Sequence, residues 1–161
     1  TQGVSSAASD VYKRQMAQDA IVTVQKKGGT RDIAMADFPI GYMMPSFELD
    51  EMVTGIRVPL WPEGHGYAFE EFARRHGDYA ITSSAVLLDV EPGGRIRRVS
   101  ITVGGVGAAP LRVTAVEEAL TGEIGSVELF TEIAEKCREI DAMEDVYAPA
   151  WYRQHLSLIH I

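Results

Sequence analysis

The chain has 161 residues, 46% of them hydrophobic and 24% charged, with a formal net charge of −8. An acidic balance of this size repels a phosphate backbone, so no nucleic-acid partner is expected, and no apolar run of about 18 residues suggests a membrane span. The lone cysteine, Cys137, can build neither a disulfide framework nor an iron–sulfur cluster within this chain, and a soluble, cytoplasmic protein is the expected class.

The two ends are set apart from the fold. One back-translation of residues 10–15 is a DNA whose reverse complement encodes residues 156–161, and residues 5–9 match the upstream continuation of the same transposon-end adapter. Residues 1–15 and 156–161 are therefore expected to be translated sequencing adapter. Residues 20–25 and 30–34 then read as two β-branched strands joined by a glycine turn at Gly28 and Gly29, a hairpin. Residues 38–45, with Pro39, Gly41 and Pro45 and no clear period, read as a loop over apolar surface. Residues 49–59 give an acidic turn and a strand that Pro59 ends, because proline brings no N–H to a ladder. Residues 60–66, carrying Pro62, Gly64 and Gly66, are the expected boundary between one unit over 16–60 and another over 61–155.

Past that boundary, residues 67–73, 79–90 and 95–103 predict a three-stranded antiparallel meander, with a turn at residues 91–94 between the last two strands. Val99, Ile101 and Val103 alternate with Arg98, Ser100 and Thr102, which predicts one face inward and the other in water. Helices are expected to cover the inward face. The first, over 114–120, has Thr114 as its cap and Glu117 and Glu118 near its positive end. The second is capped by Ser126 and aligns Leu129, Ile133, Cys137 and Ile140 on one stripe, and a third spans 148–155. Strands followed by helices give the expected fold class, α+β: a three-stranded antiparallel meander covered by C-terminal helices, preceded by the strands of residues 20–59.

The loop Arg74-Arg75-His76-Gly77-Asp78-Tyr79 joins two predicted strands and holds the best candidate chemistry. A flat, mostly apolar ring system that gains negative charge on reduction, such as a flavin, needs a ring face, close backbone donors and a nearby cation. Tyr79, Gly77 and Arg74 or Arg75 could supply these, with Asp78 holding the turn. The plainer alternative leaves the arginines solvated and starts a core strand at Tyr79. In that case the domain is a small binding or assembly module, docking a protein partner through Arg74, Arg75 and Asp78. The glycines of residues 104–107 lack a following Gly-Lys-Ser/Thr and read as a strand-ending turn. His65, His76 and His155 are too scattered for a metal site and are expected at solvent-facing positions, and Cys137 is expected to be a buried, inert thiol.

Together with residues 97–112, this loop resembles the C-terminal part of the flavin-carrying medium subunit of molybdenum hydroxylases, the group containing xanthine dehydrogenase and aerobic carbon monoxide dehydrogenase. Further landmarks are the hairpin with Asp37-Phe38, the strand over 51–59, residues 69–81, the helix end over 118–122 and residues 152–156. The resemblance implies that residues 16–60 are the last strands of an FAD-binding domain, with Val53 contributing an aliphatic contact to the flavin. It implies that residues 61–155 are the C-terminal domain, with the Arg74-to-Tyr79 loop beside the flavin ring. It also implies FAD as cofactor, phosphate-binding glycine loops upstream, and partners in an iron–sulfur small subunit with two-iron, two-sulfur clusters and a large subunit with a molybdenum cofactor. In that arrangement electrons leave the flavin for NAD, a quinone or oxygen. Glu71 stands where many bacterial relatives carry lysine.

Overall fold

The computed structural model describes residues 4–75 and 77–161, with side chains from Val11 onward. Helix α1 (Val4–Ala17) leads into the hairpin of β1 (Ile21–Lys26) and β2 (Gly29–Ala34), where Val22 pairs with Ile33 and Lys26 with Gly29. Gly28 turns the chain at a φ of +111°, which a side chain would strain. The other edge of β1 takes β5 (Met52–Arg57), so the first sheet has the order β2-β1-β5. The connection expected as a plain loop contains a miniature hairpin, β3 (Pro39–Gly41) and β4 (Met44–Pro45), whose turn places Met43 at a φ of +53°. Val22, Val24, Ile33, Met35 and Phe38 form the core under this sheet, with Met16 and Ala20 from the end of α1 and the residues after it.

One ion pair fixes the start of β5. Arg31 donates from Nε and Nη2 to the two Glu51 carboxylate oxygens at 2.8 and 2.7 Å, and the Glu48 N–H donates to Oε2 at 2.8 Å. The Arg31 guanidinium, then the backbone donor, pull the Glu51 carboxyl down to about 2.

The second sheet runs β6-β7-β8-β9, all antiparallel, from β6 (Gly66–Phe72), β7 (Thr82–Val90), β8 (Ile96–Gly104) and β9 (Leu111–Arg112). The expected meander is there, with β9 as a fourth short strand on its far edge. Val86, Leu88, Val99, Ile101 and Val103 face α2 (Thr114–Leu120), α3 (Val127–Ala134), a 3-10 stretch (Glu135–Glu139) and α4 (Ala150–His160). Ser126 caps α3 by accepting the Leu129 N–H at 3.1 Å. Thr114 does not cap α2: Val113 is the N-cap and contributes no side-chain bond. Instead the Glu117 carboxylate of the first turn accepts the Ile101 N–H at 2.6 Å and Arg112 Nε at 2.8 Å, tying α2 to β8 and β9.

Of the face expected in water, Arg98 remains partly exposed but the rest is buried. Ser83, Ser100 and Thr102 are fully covered, and Ala85 and Leu87 pack with Ala17 and Trp61. The reason is size as well as polarity: small hydroxyl and methyl side chains make a shallow surface on which α1 can rest. Ser100 Oγ donates to the Ala17 carbonyl at 2.6 Å and Lys13 Nζ donates to Ser83 Oγ at 2.5 Å. At the opposite end, α4 continues through residues 156–160 and buries Leu156 and Ser157. Among the described residues, no helix is long and apolar enough to cross a membrane.

Candidate functional site

The β6–β7 loop has a rigid root and an open tip. At the root, the Ile81 N–H donates to the Phe72 carbonyl at 2.8 Å, closing the loop one residue before β7 begins. Tyr79 and Ala80 therefore belong to the loop and not to the strand. The Ile81 carbonyl accepts Arg153 Nη1 at 2.6 Å, and the same nitrogen reaches the Gly105 carbonyl at 2.7 Å. Arg153, only 4% exposed, also pairs through Nη2 with Asp145 Oδ2 at 2.8 Å, while its buried Nε has no hydrogen-bond partner among the described residues. Asp145 Oδ1 accepts the Tyr147 and Ala148 N–H groups at 2.9 and 3.0 Å. The Tyr147 and Ala148 amides, with Arg153, hold the Asp145 carboxyl below its ordinary range.

At the tip, Arg75 pairs with Asp78, Nε to Oδ2 at 3.2 Å, which neutralises one of the two guanidinium charges. Arg74 lies over the Tyr147 ring at 4.7 Å from its centroid. Gly77 has a φ of +89° and nothing within 4 Å of where a Cβ would stand, so its backbone is open to approach. Tyr79 is 68% exposed. The structure thus gathers Arg74, Arg75, Gly77, Asp78 and Tyr79 in one open bend. Val53 is elsewhere: it lies on β5, paired with Val24, and β5 shares no substantial packing with β6 or β7 among the described residues.

As a donor set, this bend suits the edge of a flat ring that becomes anionic: an exposed aromatic residue, a glycine with open space beside it and an arginine with no carboxylate partner among the described residues. It offers no cradle for a diphosphate. The glycines after β8 do not supply one, because their space is taken. A Cβ on Gly104 would stand 2.3 Å from the Lys13 side chain, and one on Gly105, at a φ of +82°, would stand 2.2 Å from the Ile81 carbonyl oxygen. Gly105 is needed for close packing at the loop root, as a strand-ending turn requires, whereas the neighbour of Gly104 is the flexible Lys13 side chain of α1.

The remaining candidates resolve simply. His76 lies outside the described residues. His65 and His155 are half-buried and not fully solvent-facing; His65 Nδ1 is 2.9 Å from the Pro62 carbonyl, with its ring against Trp61 and Tyr67. Among the described residues, no group of three or more His, Cys, Asp or Glu could hold a metal ion. Cys137 is fully buried, and burial, then the nearby Glu135 charge, push its thiol up to about 11, which makes it a poor nucleophile. Sequence reasoning missed Arg153 and Tyr147 as parts of the loop's support. The signal for Arg153 was a lone cation between apolar positions of the last helix; Tyr147 gave none.

Known structures place this fold. A chain of the reconstituted CO dehydrogenase from Oligotropha carboxidovorans superimposes with a TM-score of 0.87 at 28% identity, covering 96% of this chain and 56% of that one. The architecture is therefore that of a CO dehydrogenase component. More particularly, the chain belongs to the CO dehydrogenase flavoprotein C-terminal domain family, whose pattern spans residues 67–159. The alpha subunit of the 6-hydroxypseudooxynicotine dehydrogenase complex of Paenarthrobacter nicotinovorans is 31% identical over 150 residues, 92% of this chain and 51% of that subunit. The nicotine 6-hydroxylase medium subunit of the same organism is 37% identical over 146 residues, 88% of this chain and 49% of that protein. The chain thus spans about half the length of these curated relatives.

Proposed function

We propose that this chain is part of the FAD-carrying medium subunit of a molybdenum hydroxylase. In that protein, electrons would come from a molybdenum cofactor on a large subunit, through two-iron, two-sulfur clusters on a small subunit, and pass on to NAD, a quinone or oxygen. The observation that carries this reading is the family pattern over residues 67–159, which contains an open β6–β7 bend with an unobstructed glycine and an exposed tyrosine. FAD, when bound, supplies the electron-accepting and electron-donating chemistry.

The chain's own residues would position and bias it. The Gly77 amide and the Tyr79 ring would meet an edge and a face of the ring system. The Arg75–Asp78 pair is self-neutralised, so Arg74 is the loop's net positive charge. Val53, on the separate β5, would offer an aliphatic contact from a second direction. On this reading residues 16–60 end an FAD-binding domain, residues 61–155 form the C-terminal domain, residues 1–15 and 156–161 are adapter, and the complex is cytoplasmic. Production of the full-length parent subunit tests the proposal. A yellow protein that releases FAD on acid denaturation is the expected result, and a colourless, folded product would overturn it.

A further inference from the structure

The support of the β6–β7 loop has one strong and one weak part, and both trace to the same buried cation. Arg153 grips the loop root through the Ile81 carbonyl, and through Asp145 it also fixes the turn that carries Tyr147. The root of the loop and the platform for its tip are thereby set by one network. Across the gap, the only described partner of Arg74 is the Tyr147 ring, and Arg74 forms no ion pair among the described residues. Tyr147 is itself 60% exposed, so its ring is not held there by core packing. Its backbone is held by Asp145, which leaves the ring face available to the guanidinium.

We infer that Tyr147 is a positioning residue for the flavin-facing loop: its ring holds the Arg74 guanidinium, and with it the tip of the β6–β7 loop, in one orientation toward the flavin edge. The part of this statement that concerns the flavin rests on the proposed function; the part that concerns the loop does not. A cation–π contact at an exposed site favours the docked over the released arrangement by about two- to fivefold. That is enough to bias the loop without locking it. The charge of Arg74 is therefore presented from a preferred place, while the loop can still yield to an incoming acceptor.

Native-state trypsin cleavage after Arg74 and Arg75 in the 161-residue chain reads the loop directly. Y147A should be nicked there about two- to fivefold faster than wild type. Y147F, which keeps the ring face, should match wild type. Cleavage after Arg95 and Arg97 should not change, which separates a released loop from a general loss of stability. In the FAD-loaded parent subunit, Y147A should shift the flavin midpoint potential, and the R74A Y147A pair should shift it no further than R74A alone. Unchanged nicking in Y147A, or Y147F behaving like Y147A, would overturn the inference and leave the flavin reading standing. A wild-type parent that binds no FAD would defeat the flavin reading, while the nicking rates would still decide whether Tyr147 holds the loop.

Discussion

The two sheets of this protein are covered to different extents, and the difference follows from their side chains. In its two central strands the second sheet is buried on both faces: bulky aliphatics of β7 and β8 meet α2, α3 and α4, while Ser83, Ala85, Ser100 and Thr102 lie flat under α1. Its edge strand β6 is exposed along most of its length. The first sheet is buried on one face only, and its β5 is exposed along its whole length, with Met52 67%, Val53 37% and Ile56 46% exposed. A strand can be fully buried without being uniformly apolar when its polar groups are small: Ser100 finds the Ala17 carbonyl, while the buried Thr82, Ser84 and Thr102 hydroxyls have no hydrogen-bond partner among the described residues. Conversely, aliphatic composition does not ensure burial, as β5 makes plain.

The sharpest way to test this contrast is at Arg153, the most costly group to disturb in the well-covered half. Arg153→Met keeps length and removes the charge, stranding the Ile81 and Gly105 carbonyls and Asp145. Breaking a buried charged network from one side costs about 3–5 kcal/mol, read as a lower urea midpoint at unchanged slope. Next comes a matched pair of isoleucines. Ile101→Ala, at a site 1% exposed, should cost about 2–5 kcal/mol, whereas Ile56→Ala, at a site 46% exposed, should cost less than about 1 kcal/mol. Equal losses at the two positions would mean that the sheets are not covered differently.

Acid probes the first sheet by another route. Glu51, which anchors the start of β5, has a folded-state value of about 2 against an ordinary 4.5. A depressed carboxylate stabilises the fold above its unfolded value, and that contribution is lost as pH falls from about 4.5 toward 2. Stability measured across this window should therefore decline more steeply in wild type than in Glu51→Gln, which has no carboxylate to protonate.

Much of this fold was legible because the sequence periods matched the elements. The β1–β2 hairpin, the order of the second sheet and the Ser126 cap all follow from local pattern. What was not legible depended on tertiary partners. Ser100 and Thr102 alternate like a wet face, yet α1 covers them, and no local rule distinguishes a solvated hydroxyl from one beneath a helix carbonyl. Thr114 looks like a cap, but the strands beside it offered Glu117 a better use. Tyr79 reads as the start of a strand by residue type, yet the Ile81-to-Phe72 hydrogen bond closes the loop after it. Within the site, the bend from Arg74 to Tyr79 stands out by its resemblance to the family and not by composition alone, while its clamp at Arg153 joins residues 72 positions apart, a pairing that no local pattern reveals.

The smallest expected effect sits at Val53, and it bears most directly on whether β5 is open. Val53→Thr preserves branching and strand propensity and changes only one methyl for a hydroxyl. On an exposed edge strand that hydroxyl stays hydrated, so the stability of the 161-residue chain should move by no more than about 0.5 kcal/mol in urea denaturation. A loss above about 1 kcal/mol would mean the site is desolvated after all, since a hydroxyl costs that much only when removed from water without a partner. The FAD-loaded parent gives the opposite expectation: if Val53 lies against the flavin there, the same substitution should weaken FAD retention measurably. A change that is silent in this chain and costly in the parent would make β5 a strand whose aliphatic face awaits a cover, in contrast to β8, whose two faces are already occupied.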